Sequence, residues 1–122
     1  MKIFRERAIK FYKEALHDIE EQNFDLAAFH FEQALQLGIK YLLAKELGYF
    51  SKTHSLRKLF EELSKIDEKA LEFYKENKIT LKILEEAYIA SRYYYRLYEK
   101  DEAEDMKTVV EKFFEKFGIW TL

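Results

Sequence analysis

The chain contains no cysteine and no proline, and only three of its 122 residues are glycine. The absence of cysteine excludes disulfide bonds and thiolate metal sites. Average proline usage of about 5% would give roughly six prolines in a chain of this length. β-Sandwiches and dinucleotide-binding folds need turn residues that are scarce here, so the composition favours helices.

Long uncharged segments are also absent. Charged residues make up 36% of the chain and are spread throughout, so no segment reaches the ~18 apolar residues of a membrane span. The N-terminal residues 1–6 lack the apolar region of a secretory signal. The formal net charge of −2 demands neither nucleic acid nor an anionic membrane as a partner. We therefore expect a cytoplasmic protein with no membrane partner, and its richness in Lys and Glu is typical of a thermophile.

Hydrophobic residues make up 48% of the chain, and its length fits a single domain over residues 1–122. Apolar residues recur every three or four positions, which predicts helices. Four long helices are predicted over residues 2–21, 24–47, 79–96 and 101–117, and two short ones over residues 56–63 and 68–76. The predicted fold class is all-α, an antiparallel four-helix up-and-down bundle with one or two extra short helices.

Local signals predict where several helices begin and end. Asn23 is a suitable N-cap for the second helix, and Gly48 a suitable stop. The pattern Asp101-x-x-Glu104 predicts a capping box at the start of the last helix. Gly38, inside the second helix, costs roughly 1 kcal/mol relative to Ala, which indicates close helix–helix packing.

Phe and Tyr together number 20, so most of them must lie in the core and any left outside would mark an interface. Part of this pattern resembles a tetratricopeptide repeat, with aromatic, Ala and Leu positions at Phe24, Ala27, Phe31, Ala34 and Leu35. No second copy follows, and a lone repeat cannot bury its own faces. We therefore interpret the match as ordinary small-residue helix packing. The alternative is a tetratricopeptide-like or plain helical scaffold that binds a peptide, which an exposed groove lined by Tyr12, Ala27 and Phe31 would favour.

No zinc, di-iron or phosphate-loop spacing occurs, so we expect no metal, no catalytic residues and no cofactor apart from a bound nucleotide. One segment does suggest anion binding. Residues 52–58 place His54, two hydroxyl groups and three cations, including Arg57, at the start of a helix, where free N–H groups favour anions. The simpler interpretation is that Thr53 or Ser55 caps this helix while His54 satisfies nearby backbone.

A second segment, residues 91–98, interleaves two arginines with four tyrosines. Arg92 and Arg96 share a helix face, so both could contact one anion, and Tyr93 could stack on a base. The simpler interpretation is that the tyrosines form core or dimer contacts and the arginines pair with glutamates. Residues 40–58 hold five Lys and Arg against one Glu, so a basic patch is compatible with the net charge.

In this order, the segments resemble the HEPN family of small helical domains. The resemblance comprises the long small-residue helix from Asp25, the segment Thr53-His54-Ser55-Leu56 that opens a short helix, and the segment Ser91-Arg92-Tyr93. It covers nearly the whole chain. The family often has Pro where Tyr94 stands here.

The resemblance implies a helical bundle, commonly a homodimer, that binds nucleotides and works with a minimal nucleotidyltransferase in a toxin–antitoxin pair. Ribonuclease members carry Arg, four to six residues and then His. After Arg92 the matching positions are Leu97, Tyr98 and Glu99, so the motif is missing and we expect no RNA cleavage.

Three functions follow from these observations. The first is a non-catalytic HEPN-like module that binds a nucleotide or a partner, with phosphate or base contacts from His54, Arg57, Arg92, Tyr93 and Arg96. The second is a degenerate HEPN ribonuclease that acts on RNA through His54. The third is the tetratricopeptide-like peptide-binding scaffold.

Overall fold

The structure is a computed structural model that describes residues 2–93 and 96–120, and of residues 91–93 the backbone alone. Within these residues it contains six helices and no strands. The helices are α1 (Lys2–Glu20), α2 (Phe24–Leu47), α3 (Leu56–Ser64), α4 (Lys69–Glu76), α5 (Lys78–Tyr93) and α6 (Lys100–Lys116). The prediction of an all-α bundle with four long helices and two short ones is confirmed.

Helix α2 is the centre of the bundle, as its wide apolar arc predicts. Helices α1, α3, α5 and α6 all pack on it. The pairs α5–α6 and α1–α6 complete the bundle, while α3 packs on α4 and α5. Where these helices meet α2, small residues such as Ala27, Ala28 and Ala34 are fully buried and allow close approach. The described helices include none with the length and apolar character needed to cross a bilayer.

Aromatic side chains fill much of the core. The rings of Phe113 and Phe117 stack at 4.5 Å between centroids, and Phe73 meets Phe113 edge-on at 5.5 Å. Tyr12, Ala27 and Phe31 are also buried. The alternative of an exposed peptide groove is therefore wrong, and the interpretation as helix packing is confirmed, because these side chains form the contact between α1 and α2 and the core behind it.

Glycines act as the sequence predicts at two positions of α2. Gly48 ends the helix with φ of 78°, a left-handed conformation that residues with a Cβ avoid. A Cβ at Gly38 would lie 3.4 Å from the Phe114 ring and 3.6 Å from the Phe113 ring, so α2 and α6 pack closely there.

The start of α6 differs from the prediction. The capping box is formed by Glu99 and Glu102 rather than by Asp101 and Glu104. The helix begins at Lys100, which brings Glu102 to the third helical position, where its carboxylate accepts the Glu99 N–H at 3.0 Å.

Helix α5 is described over Lys78–Tyr93, and residue 96, the predicted end of this helix, is not helical, nor are residues 97–99. The guanidinium of Arg96 bridges Glu86 on α5 and Glu102 on α6, at 2.6 and 3.2 Å. These ion pairs join the segment before α6 to both helices. Residues 94 and 95 of the tyrosine-rich segment lie outside the described residues.

Candidate functional site

His54 lies in the connector that precedes α3, and the start of that helix is tied to α5. Ser55 is the N-cap: its Oγ accepts the Lys58 N–H at 3.3 Å and donates to the Glu85 carboxylate at 2.8 Å. The hydroxyl of Thr53 accepts the Ser55 N–H at 3.1 Å. Of the two predicted caps, Ser55 is therefore the cap, and Thr53 orders the turn before it.

The imidazole of His54 reaches α2, where it ends a row of three hydrogen-bonded side chains. Its Nδ1 lies 2.9 Å from Oε1 of Gln36, and Nε2 of Gln36 donates to Oε2 of Glu32 at 2.8 Å. Gln33 donates to the other Glu32 oxygen at 2.8 Å. Since the amide nitrogen of Gln36 faces a carboxylate, its oxygen is the acceptor and Nδ1 of His54 is the donor. We call this row the Glu32–Gln36–His54 chain.

The carboxyl group of Glu32 is fully buried, and this burial raises its pKa to about 7. The hydrogen bonds from the two glutamines and the charge of Lys40 oppose the rise, while Glu85 adds to it. Burial lowers the pKa of Lys40, against the attraction of Glu32 and Glu62. A carboxyl group that titrates near neutral pH therefore stands at the inner end of the chain that leads to His54.

The ring of His54 stacks on Tyr88 of α5, with 4.7 Å between centroids and 15° between planes. Position 92 follows one helical turn later, so it lies on the same side of α5 as position 88. The side chains of Arg92 and Tyr93 lie outside the described residues. The backbone thus brings positions 54 and 92 toward one side of the bundle.

The other two predicted phosphate contacts have carboxylate partners. Arg57 pairs with Glu61 at 2.5 Å on α3. Arg96 pairs with Glu86 and Glu102, and its guanidinium lies 4.3 Å from the centroid of the Tyr98 ring. An anion would have to compete with these glutamates for the two arginines. The roles of Arg57 and Arg96 in phosphate contact stay predictions.

Sequence reasoning missed the residues that hold His54. Glu32, Gln36 and Lys40 stand four residues apart on α2, so they lie along one side of a helix whose neighbouring positions are apolar. All three are buried. This periodic row of polar residues in the most apolar helix was the signal available in the sequence. His30, also on α2, contacts Asp18 of α1 at 2.5 Å.

A separate groove of about 390 Å³ lies between α3, α4 and α5. Its apolar lining comes from Phe60, Leu71 and Tyr74. Its polar lining is mostly cationic and consists of Arg57, Glu61, Lys75, Lys78 and Lys82. We call it the basic groove. Apart from Arg57, its cations form no ion pair with a carboxylate among the described residues.

The family model of the HEPN domain matches residues 1–120. The chain belongs to the HEPN family. The resemblance expected from the sequence is thereby confirmed, and the HEPN domain covers all six helices. No curated protein and no solved structure matches the chain. The function of this HEPN domain must therefore be argued from its own residues.

Proposed function

We propose that this HEPN domain is a non-catalytic module that binds a nucleotide through its phosphates, on the surface formed by His54, Tyr88 and position 92. The observation that carries the proposal is the double attachment of His54, to Gln36 of α2 and to Tyr88 of α5. A side chain held in this way is pre-organised, so little conformational entropy is lost when a ligand binds.

The chemistry of these residues suits a phosphorylated ligand. The imidazole of His54 is exposed, and position 92 supplies a guanidinium, whose planar fork matches phosphate oxygens. Tyr93, next to Arg92, offers a ring for the base. The Arg-x4–6-His motif of ribonuclease members is absent after Arg92, which supports binding without cleavage.

Calorimetric titration of ATP into the wild type and into Arg92→Ala and His54→Ala tests the proposal. A hydrogen bond to a charged group contributes about 1.5–3 kcal/mol, so each substitution is expected to weaken binding at least about tenfold. Arg7→Ala is the matched control, because Arg7 is exposed on α1, which packs on α2 and α6. Binding should also weaken as salt is raised. Equal, negligible heat in the wild type and all variants would exclude nucleotide binding.

We further propose a protein partner, a minimal nucleotidyltransferase in a toxin–antitoxin-like pair, as the family resemblance implies. The basic groove supports this part, since its apolar floor and unpaired lysines fit an acidic, partly apolar surface. A neighbouring gene encoding Gly-Ser-x-n-Asp-x-Asp would identify the partner. Co-purification with that protein should then be lost in Lys78→Glu combined with Lys82→Glu and retained in Lys13→Glu on α1. Retention in both would exclude the groove as the contact.

The second candidate function is RNA cleavage through His54, which the Glu32–Gln36–His54 chain favours. A hydrogen-bonded neighbour that orients an imidazole is a common arrangement for a general base. Incubation of purified wild type and His54→Ala with RNA distinguishes the two functions. Cleavage that disappears in His54→Ala would favour the ribonuclease, and RNA left intact by the wild type would exclude it.

A further inference from the structure

We propose that Gln36 is a positioning residue that holds the imidazole of His54 in the tautomer with its hydrogen on Nδ1, with the buried carboxyl group of Glu32 as the anchor. The proposed function uses the contact of Gln36 with His54 only to hold the ring in place, and the tautomer is a further consequence of that contact. Its evidence is the order of donors and acceptors along the Glu32–Gln36–His54 chain.

The amide of Gln36 has one orientation that satisfies both neighbours. Its Nε2 donates to Oε2 of Glu32 at 2.8 Å, which leaves Oε1 to accept from Nδ1 of His54 at 2.9 Å. The reversed amide would set its oxygen against the carboxylate oxygen, and both lone pairs would be buried. An unsatisfied buried acceptor of this kind costs about 1–3 kcal/mol, so the reversed amide is disfavoured.

The carboxylate of Glu32 is held by Gln33 as well as by Gln36. The second oxygen of Glu32 accepts from Nε2 of Gln33 at 2.8 Å, and the Glu32 side chain is fully buried. Both carboxylate oxygens are therefore engaged, and neither is free to rotate toward another donor. In turn, the stack of His54 on Tyr88 restricts the imidazole plane, so the ring cannot turn over without losing that contact.

Charged side chains from three helices act on the charge of Glu32 or of its neighbour Lys40. Glu85 of α5 repels the Glu32 charge, and Lys40 of α2 attracts it. Glu62 of α3 acts on Lys40. On the helices that pack against α2, Asp18 of α1 contacts His30 and Glu111 of α6 bonds to Tyr12.

The consequence is that, in the neutral His54 ring, Nδ1 carries the hydrogen and Nε2 carries the lone pair. This tautomer can be measured without any ligand.

Two-bond ¹H–¹⁵N correlation spectra of the histidine rings of the full chain test the proposal. The spectra are recorded at a pH above about 8, because the Glu32 carboxyl, with its pKa of about 7, is ionised there. The neutral His54 ring is expected to show the pattern of the Nδ1–H tautomer. In Gln36→Leu it is expected to change to that of the Nε2–H tautomer, which free imidazole side chains favour. Gln33→Leu is the matched control, because Gln33 binds the same carboxylate without touching His54. There the Nδ1–H tautomer should persist.

The spectra of His17 and His30 in the same samples serve as internal references and should not change. A wild-type His54 in the Nε2–H tautomer would overturn the proposal, and this measurement needs no variant. An Nδ1–H tautomer that survives in a folded Gln36→Leu protein would also overturn it. Since neither result depends on ATP, a failure of nucleotide binding would leave the tautomer result intact, and the two proposals can fail independently.

Discussion

The rings of His54 and Tyr88 lie nearly parallel, with 4.7 Å between their centroids. The contact joins the connector before α3 to the middle of α5, two segments that are 34 residues apart in the chain. Ser55 and Glu85 add a hydrogen bond between the same two segments. Together these contacts fix where the exposed imidazole stands relative to the helix that carries Arg92.

Replacement of Tyr88 by Leu should release the His54 ring, whereas replacement by Phe should keep it in place. An aromatic pair contributes about 0.5–1.5 kcal/mol beyond the area it buries, and the stack needs the ring rather than the hydroxyl group. The ring protons of His54 lie over Tyr88 and are shifted upfield by its ring current. In proton NMR spectra we expect this shift to disappear in Tyr88→Leu and to persist in Tyr88→Phe. Identical His54 resonances in both variants would contradict the stack.

The pKa of Glu32 predicts an unusual dependence of stability on pH. A carboxyl group whose pKa rises from 4.5 in the unfolded chain to about 7 in the folded one stabilises the fold while it is protonated. That stability is lost as the pH rises through this interval. Between about pH 5 and pH 8 the wild type should lose roughly 2–3 kcal/mol of its free energy of unfolding through this group.

Urea unfolding of the wild type and Glu32→Gln at both pH values measures this effect. The variant cannot titrate, so its stability relative to the wild type should rise by the same roughly 2–3 kcal/mol between the two pH values. Glu20→Gln, a substitution of an exposed glutamate at the end of α1, is the matched control and should follow the wild type. A pH-independent difference between the wild type and Glu32→Gln would show that Glu32 is ionised at ordinary pH.

Much of the fold could be predicted from the sequence because the signals are local. The apolar period predicts α2 over 24–47, and the helix runs from Phe24 to Leu47. Gly48 ends it with the positive φ that its lack of a Cβ permits. Helix boundaries that depend on contacts between residues far apart in the sequence are harder to predict. Arg96, the predicted end of α5, is not helical and pairs with Glu86 and Glu102, and periodicity contains no information about such ion pairs.

The site could be predicted only in part, for the same reason. His54 stands out because its segment combines cations, hydroxyl groups and a helix start. Its partners Gln36 and Tyr88 come from two other helices, 18 and 34 residues away in the chain. Their proximity follows from how α2, α3 and α5 pack, which pattern analysis of a single chain does not provide. The alternative of an exposed peptide groove is wrong. A stripe of aromatic and Ala residues has the same sequence pattern whether a partner peptide or a neighbouring helix covers it.

Substitution of Ala for glycine should have opposite effects at positions 38 and 48. At Gly38 an added Cβ meets the Phe114 ring at 3.4 Å, which is near van der Waals contact, and the helix gains up to about 1 kcal/mol of propensity. At Gly48 nothing lies within 4 Å, but φ of 78° strains any Cβ by about 1 kcal/mol. Thermal unfolding should therefore show Gly38→Ala at or above the wild-type midpoint and Gly48→Ala below it. Two equal decreases would indicate tighter packing at Gly38 than its neighbours suggest.

Arg96 and Arg92 should differ in what they contribute, although the sequence places both in one basic segment. Arg96 joins α5 to α6 through Glu86 and Glu102, so Arg96→Ala should lower the free energy of unfolding by about 1 kcal/mol. Its effect on ATP affinity should be smaller than that of Arg92→Ala, because its guanidinium already has two carboxylate partners. Urea unfolding and calorimetry on both variants check this. A larger loss of affinity in Arg96→Ala would show that the ligand displaces the glutamates.

Self-association of the HEPN domain is the last prediction, and it follows from the family resemblance and the aromatic surplus. Large apolar side chains remain exposed, including Ile79 at 78% and Leu97 at 70%. A symmetric dimer would bury one such surface against its copy and sediment as a species of about 30 kDa, twice the 14.9 kDa of the chain. Sedimentation velocity at micromolar concentration should show this species. Ile79→Lys and Leu97→Lys are then measured separately, and the variant that sediments as a monomer identifies which residue lies in the interface. A wild type that sediments only at 14.9 kDa would contradict the dimer, and the nucleotide surface would then have to be complete within one chain.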